Sequence, residues 1–321
     1  MSAPWTIVGQ GIAGTCLAWR LWQRGVAFRI VDRESGGSSR IAAGLVNPVT
    51  GKNFEPTPGV ADLLPQALEF YQELEVRLAV RLWHPLPIIR LAADEKEWSK
   101  MLAKRARPDV GRWIDGGPIE ADGWCGALKI VGGGRLDTRG FLDASRAFFI
   151  SHGIYQHAEI TREVAPERTI WCDGAAGLIS GRHGPHRCAK GEILTLHAPH
   201  WQQDHIRIGR GGWLVPVGES CFKAGATYEW DQLDESPTRE GDEKVRAIAR
   251  CLGGDDRFHV TAHDAGIRPI IRRSEPQAGP LGDGSWMFNG LGSKGSLTAP
   301  AMARQLAGWI CGGSPDGRDT Q

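Results

Sequence analysis

Trp5-Thr6-Ile7-Val8-Gly9-Gln10-Gly11-Ile12-Ala13-Gly14 opens the chain, and one helix-length later comes a second apolar run, Phe28-Arg29-Ile30-Val31, that closes on Asp32. A strand feeding Gly-x-Gly-x-x-Gly, a helix, and a strand ending on an acid is the layout of a dinucleotide-binding βαβ unit. Gly9 serves the tight turn, Gly11 lets the backbone approach a pyrophosphate, and Gly14 lets the helix lie close on the strand. Unpaired N–H groups at the helix start favour phosphate oxygens, and Asp32 is placed to take a ribose hydroxyl. The glycines alone would be a weak signal. Strand, glycines, helix and terminal acid at this spacing carry the reading.

Outward from that stretch, 321 residues with 41% hydrophobic content suffice for one large or two medium domains with a buried core. The 38 basic and 37 acidic residues leave a formal charge of +1, which argues against a global field drawing nucleic acid or anionic membrane and leaves small metabolites as the expected partners. The first strand starts within a few residues of Met1 and no apolar run reaches the length of a membrane span, so no membrane is expected and cytoplasmic residence is. Seven cysteines without Cys-x-x-Cys spacing suggest neither a disulfide framework nor a zinc cluster. His183 and His186, in Arg182-His183-Gly184-Pro185-His186, lack the further ligands zinc requires and read as a loop; no metal is expected.

Ser35 to Gly44 is a small-residue loop suited to close approach of a ligand, and Leu63, Leu64, Leu68, Tyr71, Leu74, Leu78 and Leu82 mark a long amphipathic helix over residues 61–82. Pro87 to Leu91 reads as a strand and Asp94 to Arg105 as a charged helix. Glycine-rich connections then lead to Gly132-Gly133-Gly134 and a helix carrying Phe141 to Phe149, with Thr138 as its expected cap. Thr169 to Cys172 is a strand running into Asp173-Gly174-Ala175-Ala176-Gly177. From Cys188 to His263 the texture changes to alternating runs, Glu192 to Leu196, Gly212 to Val217 and Phe222 to Thr227, which predict antiparallel strands, with a surface helix over 238–252. Strand, glycine loop and helix return at Trp286 to Phe288, Asn289 to Gly295 and Leu297 to Ile310, and the tail from Gly312 reads as frayed.

These segments, in this order, resemble the D-amino-acid-oxidase-like family of flavoproteins, which includes glycine oxidase, sarcosine oxidase and the oxidase domain of the bifunctional wobble-uridine tRNA-modification enzyme. The resemblance runs through Gly9, Gly11 and Gly14, Asp32, the Ser-x-x-Ala-Ala-Gly loop of Ser39, Ala42, Ala43 and Gly44, and the strand end from Trp171 to Ala175. It continues through Gly266-Ile267-Arg268-Pro269 and the last glycine loop, Gly290 to Pro300. It implies an α/β protein with an FAD-binding Rossmann-like domain of the glutathione-reductase type and an inserted substrate domain of antiparallel sheet plus helices. On the same basis residues 1–78, 132–182 and 268–321 form the discontinuous FAD-binding domain, and 79–131 and 183–267 the substrate domain.

Carried over residue by residue, the resemblance implies non-covalent FAD with its pyrophosphate at Gly9, Gly11, Ile12 and Ala13, its ribose at Asp32 and its adenine side at Arg33 and the backbone of Val164. Ser39, Ala42, Ala43 and Gly44 would flank the flavin, Gly174 would permit close approach, and Gly292, Ser293, Lys294, Gly295, Ser296 and Leu297 would surround the pyrimidine ring. Lys294 is the one candidate for a catalytic side chain. Arg268 is the expected substrate clamp, because a guanidinium fork pairs with a carboxylate in bidentate fashion; an inter-strand ion pair is the alternative for it. Trp213 and Tyr228 are expected on the pocket wall. The chain departs from the family at Arg273, where relatives commonly carry an aspartate, and at Ser293, where glycine-oxidase-like enzymes can supply a second arginine.

The expected chemistry is oxidation of a C–N bond in a small amine or amino acid by hydride transfer to flavin N5. Two further readings stay open: an oxidase acting on a modified tRNA uridine, suggested by Asn289 to Gly295, and a flavin-binding subunit that needs a partner. The chain is shorter than typical relatives, which leaves the pocket more open or completed by another subunit, a homo-oligomer included.

Overall fold

The computed structural model describes residues 3–161, 168–272 and 275–312. Its first layer is a six-stranded sheet in the order Tyr155–His157, Phe28–Asp32, Trp5–Val8, Thr169–Trp171, Trp286–Asn289 and Gln277–Pro280. The strands pair in parallel except the last two, which are antiparallel. Ile7, Ile30, Ile170 and Phe288 are fully buried, as strands covered on both faces by helices demand. Against this sheet lie the helices Ile12–Gln23, Thr138–Ser151 and Gly295–Ile310. Ala299, Ala303 and Ala307 are small enough to let the last helix lie close on the first. Trp19 fills the centre of the layer, its indole N–H donating to Ser145 Oγ at 2.9 Å, so the largest buried side chain leaves no orphaned donor.

The second layer is an eight-stranded sheet, His259–Arg268, Ala189–His197, Cys221–Gly225, Gly212–Gly218, Ile206–Gly209, Ile88–Ala92, Gly126–Ile130 and Ile114–Ile119. It is antiparallel except between Ile206–Gly209 and Ile88–Ala92. Helix Arg239–Gly253 starts at Thr238, whose hydroxyl accepts the Gly241 N–H at 3.0 Å, and buries Val245, Ala249 and Leu252 in the cluster that holds Leu194, Leu214 and Phe222. Helix Glu95–Arg105 starts at Asp94 in the same way, with Oδ1 accepting the Glu97 N–H at 2.7 Å.

Several expectations change here. The long helix runs Val60–Leu78 and stops at Ala79, which takes a left-handed φ of +53°; Leu82 is buried beyond it, held by its N–H donating to Glu75 Oε1 at 2.7 Å. Helical spacing of leucines continued past the point where the backbone left the helix. The connection read over 106–131 contains the two strands Ile114–Ile119 and Gly126–Ile130, whose glycines hid the alternation. Asp137, and not Thr138, caps Thr138–Ser151, accepting the Gly140 N–H at 3.1 Å. Thr138 instead donates its hydroxyl to the Ala42 carbonyl at 3.1 Å. The strand predicted over 222–227 ends at Gly225, which leaves Thr227 and Tyr228 in the loop beyond. The tail beyond Gly312, Val164 and Arg273 lie outside the described residues.

Candidate active site

A cleft of about 380 Å³ opens over the carboxyl ends of the parallel strands. Gly9, with φ +102°, turns the chain out of the first strand, and a Cβ there would lie 2.5 Å from the Cys172 carbonyl oxygen. Helix Ile12–Gln23 begins at Gly11 without a side-chain cap, so its first backbone donors face the cleft; the Ile12 N–H reaches Ser39 Oγ at 3.2 Å. Asp32 accepts the Gln10 N–H at 2.6 Å and the Glu34 N–H at 2.7 Å, which fixes its carboxylate at the strand end. Gly9, Gly11, Ile12, Ala13, Asp32, Arg33, Ser39, Gly174, Gly292 and Gly295 all line this cleft.

Gly14 does not. A Cβ at this position would collide with the Gly9 carbonyl oxygen, so Gly14 belongs to the packing of helix on turn and shapes the cleft without lining it.

A larger cavity of about 890 Å³ adjoins the cleft, and Ile12, Ser38, Ser39, Gly292 and Gly295 line both. It gathers Ala42, Ala43, Gly44, Ser293, Lys294, Ser296 and Leu297 from the first layer with Trp213, Tyr228 and Arg268 from the second. The two-residue period of a strand divides the Gly-x-Arg-Pro element between the two spaces: Gly266 and Arg268 face the cavity, Ile267 and Pro269 the cleft.

Arg268 donates through Nη1 to the Lys190 carbonyl and through Nη2 to the Thr227 carbonyl, both at 3.2 Å, and its guanidinium lies 4.0 Å from the centre of the Tyr228 ring. Among the described residues no carboxylate pairs with it, which removes the inter-strand ion pair as its role. Burial lowers its pKa from the usual arginine value. A Cβ at Gly191 would collide with this guanidinium, so glycine at that point of strand Ala189–His197 keeps the room it occupies. Lys294 stands just before helix Gly295–Ile310, its carbonyl accepting the Leu297 and Thr298 N–H groups at 3.0 Å each; burial lowers the pKa of its ammonium.

Other candidates fall elsewhere. His183 donates through Nε2 to Asp173 Oδ1 at 3.0 Å, and His186 forms a backbone bridge with Ile271, so both hold loop structure. The cleft also contains groups that sequence reasoning passed over. Gln10 donates to the Leu142 carbonyl and accepts from Arg146, both at 2.8 Å; Arg182 lies 4.2 Å over the Trp171 ring; Asn289 donates to Asp173 Oδ1 at 3.0 Å; Glu235 accepts the Gly37 N–H at 2.9 Å. No local motif marks Gln10, Asn289 or Glu235, because their partners lie far away in sequence.

The glycine cradle, uncapped helix start and strand-end acid fit a dinucleotide, and the adjoining cavity, lined by small residues on one side, has space for a flat ring system. The family profile described as FAD dependent oxidoreductase matches residues 5–309. The chain belongs to that family of FAD-dependent oxidoreductases. Among the family's proteins it is 23% identical to glycine oxidase of Pseudomonas putida, with 98% of this chain and 96% of that one aligned. It is 26% identical to the tRNA 5-methylaminomethyl-2-thiouridine biosynthesis bifunctional protein of Marinobacter nauticus, with 96% of this chain covered but only 55% of the longer protein. The crystal structure of iminodiacetate oxidase from Chelativorans sp. BNC1 superimposes with a TM-score of 0.79 at 21% identity, covering 96% and 95% of the two chains. Glycine oxidase from Geobacillus kaustophilus gives 0.79 at 19%, covering 98% and 95%. At such identities the structural likeness establishes the fold: a Rossmann-like FAD-binding part and a substrate part. The oxidoreductase is an enzyme that uses FAD, and among its described residues no helix is long and apolar enough to cross a membrane.

Proposed function

We propose that this oxidoreductase oxidises a C–N bond of a small amine or amino acid that carries a carboxylate. One observation supports the reading above the rest: Arg268, half-buried at the end of its strand, has two of its donors fixed on backbone carbonyls and, among the described residues, no carboxylate of its own, at the wall of the cavity that adjoins the dinucleotide cleft. A half-buried guanidinium in that state favours a ligand carboxylate. Tyr228 backs the guanidinium, Trp213 contributes an apolar wall, and Gly191 leaves space for the fork.

The FAD pyrophosphate would sit on the backbone of Gly9, Gly11, Ile12 and Ala13, with Asp32 at the ribose, Arg33 on the adenine side, and Ala42 to Gly44 and Ser293 to Leu297 flanking the flavin without a covalent link. When bound, FAD supplies at N5 the acceptor for the hydride leaving the carbon next to nitrogen. The chain's contribution is positioning: Arg268 fixes the carboxylate, and holding the neutral amine in one orientation supplies most of the acceleration, with no side-chain base required. Lys294 would place a cation beside the pyrimidine ring. The imine left on the substrate hydrolyses in water. Residues 1–78, 132–182 and 268–321 would act as the cofactor-binding domain and 79–131 with 183–267 as the substrate domain of a cytoplasmic enzyme.

The test is the visible spectrum of the purified holoenzyme, recorded without oxygen while glycine, sarcosine, proline, D-amino acids and simple amines are added in turn. Bleaching by a carboxylated amine, lost in Arg268→Met, supports the reading. A yellow protein bleached by none of them, but by tRNA bearing a modified uridine, favours the reading suggested by the Marinobacter relative.

A further inference from the structure

The large cavity is much more cationic than the molecule around it. Seven basic side chains line it against two acidic ones, in a chain whose formal charge is +1. Both acids are already engaged. Glu97 pairs with Arg90 at 2.5 Å and accepts the Ala93 N–H at 2.9 Å, while Asp94 caps helix Glu95–Arg105. Arg268 and Lys294 lie beside the proposed flavin and carboxylate positions. Lys52, Lys96, Lys100 and Arg210 remain, and among the described residues none of these four pairs with a carboxylate.

Three separate segments bring these four cations to one cavity. Lys52 lies in the loop after Val49–Thr50, Lys96 and Lys100 on helix Glu95–Arg105, and Arg210 in the turn between Ile206–Gly209 and Gly212–Gly218. The Lys100 ammonium donates to the Lys52 carbonyl at 3.0 Å, which ties helix to loop, and Arg210 is held 5.1 Å over the Trp124 ring. A single exposed lysine contributes little to binding, but several cations of one sign in a concave, partly apolar wall focus the field toward the opening.

We propose that Lys52, Lys96, Lys100 and Arg210 form a subsite for a second anionic group, so that the substrate is a small amine with one carboxylate for Arg268 and a further carboxylate or phosphate at its other end. The inference rests on the amine-oxidation reading and narrows it to dianionic substrates. A small molecule, and not a nucleic acid, is the occupant, because the cations line a cavity of ligand size and the net charge of the chain is close to zero.

The experiment uses the FAD-loaded enzyme and two matched pairs of probes, N-methylglycine against N-(carboxymethyl)glycine, and serine against O-phosphoserine. Binding is read from the change in the flavin spectrum without oxygen, and turnover is measured separately. The expected result is that a dianion of one pair binds about tenfold tighter than its monoanionic partner, with a preference that falls as salt rises. Which pair shows the preference distinguishes carboxylate from phosphate. In a variant with Lys52, Lys96 and Lys100 changed to Gln together with Arg210→Gln, the preference should vanish, and in the matching Lys→Arg triple variant it should survive, which guards against a folding defect. Equal binding within both pairs, or a preference unchanged in the Gln variant, overturns the subsite. Tight binding of tRNA that the Gln variant loses, without any preference among the small probes, overturns the small-molecule occupant. Dianion binding that the Gln variant loses, with no oxidation of any probe, leaves the subsite standing and removes the amine-oxidation reading.

Discussion

The cofactor cleft and the substrate cavity share a seam at Ile12, Ser38, Ser39, Gly292 and Gly295, yet they recognise by different means. The cleft draws mainly on backbone: a left-handed Gly9, the donors of an uncapped helix start, and glycines where side chains would collide. Its ionisable lining is mixed, with four arginines against five carboxylates. The cavity relies on side chains from segments scattered between Ile12 and Leu297, and its ionisable lining is dominated by cations. On the proposed reading, the difference teaches that a fixed cofactor is held mainly by chain geometry, while a variable substrate is selected by charges that the surrounding fold brings together.

The contrast can be broken most severely at the backbone. Gly14→Ala drives a methyl into the Gly9 carbonyl, so it should cost more than about 2 kcal/mol and yield protein largely without flavin. A yellow variant with the wild-type melting temperature would show that the packing of helix on turn beneath the cleft tolerates a side chain after all. On the cavity side, Arg268→Met should leave flavin content unchanged while kcat/KM for a carboxylated amine falls about 100-fold, the cost of losing one charged, directional contact. Unchanged turnover would detach Arg268 from substrate binding.

Gly191→Ala sharpens the comparison, because here a glycine serves a side chain and not a cofactor. The added methyl displaces the flexible end of Arg268, so KM should rise about tenfold with the melting temperature close to wild type. A lost fold with KM unchanged would assign Gly191 to packing instead.

The smallest effect concerns Lys223, which pins the flavin-side loop to the second layer by donating to the Ile41 carbonyl at 2.7 Å and the Ala42 carbonyl at 3.2 Å. Burial lowers its pKa below the usual 10.5, so between the lowered value and 10.5 the unfolded chain binds the more protons. Stability referable to this lysine therefore rises with pH through that window, and the cost of holding it charged is full below it. Urea midpoints measured as the pH rises toward 10.5 should show wild type gaining on Lys223→Met. A gain in the opposite direction would mean that the loop carbonyls favour the charged form more than burial opposes it.

Legibility followed the range of the interactions. The first βαβ unit was readable because its strand, glycines, helix and acid lie within residues 5–32 and each has a local steric or hydrogen-bonding reason. The helices read from 94 and from 238 were legible for the same reason, each opening on a residue whose side chain caps it. Ile114–Ile119 escaped because Gly116 and Gly117 interrupt its alternation and its partner strand supplies the order. Gln10, Arg146, Asn289 and Glu235 escaped because each acts on a residue more than a hundred positions away that the fold brings close.

By itself, then, the sequence determined the first βαβ unit and the family order of motifs, since glycine sterics and strand alternation are set by neighbours a few positions apart. Only the tertiary structure decided that Arg268 has carbonyls and, among the described residues, no carboxylate beside it, and that lysines and an arginine from three segments converge on one cavity. Those facts depend on burial and on distances between residues up to hundreds of positions apart, which are fixed when the two sheets close on each other.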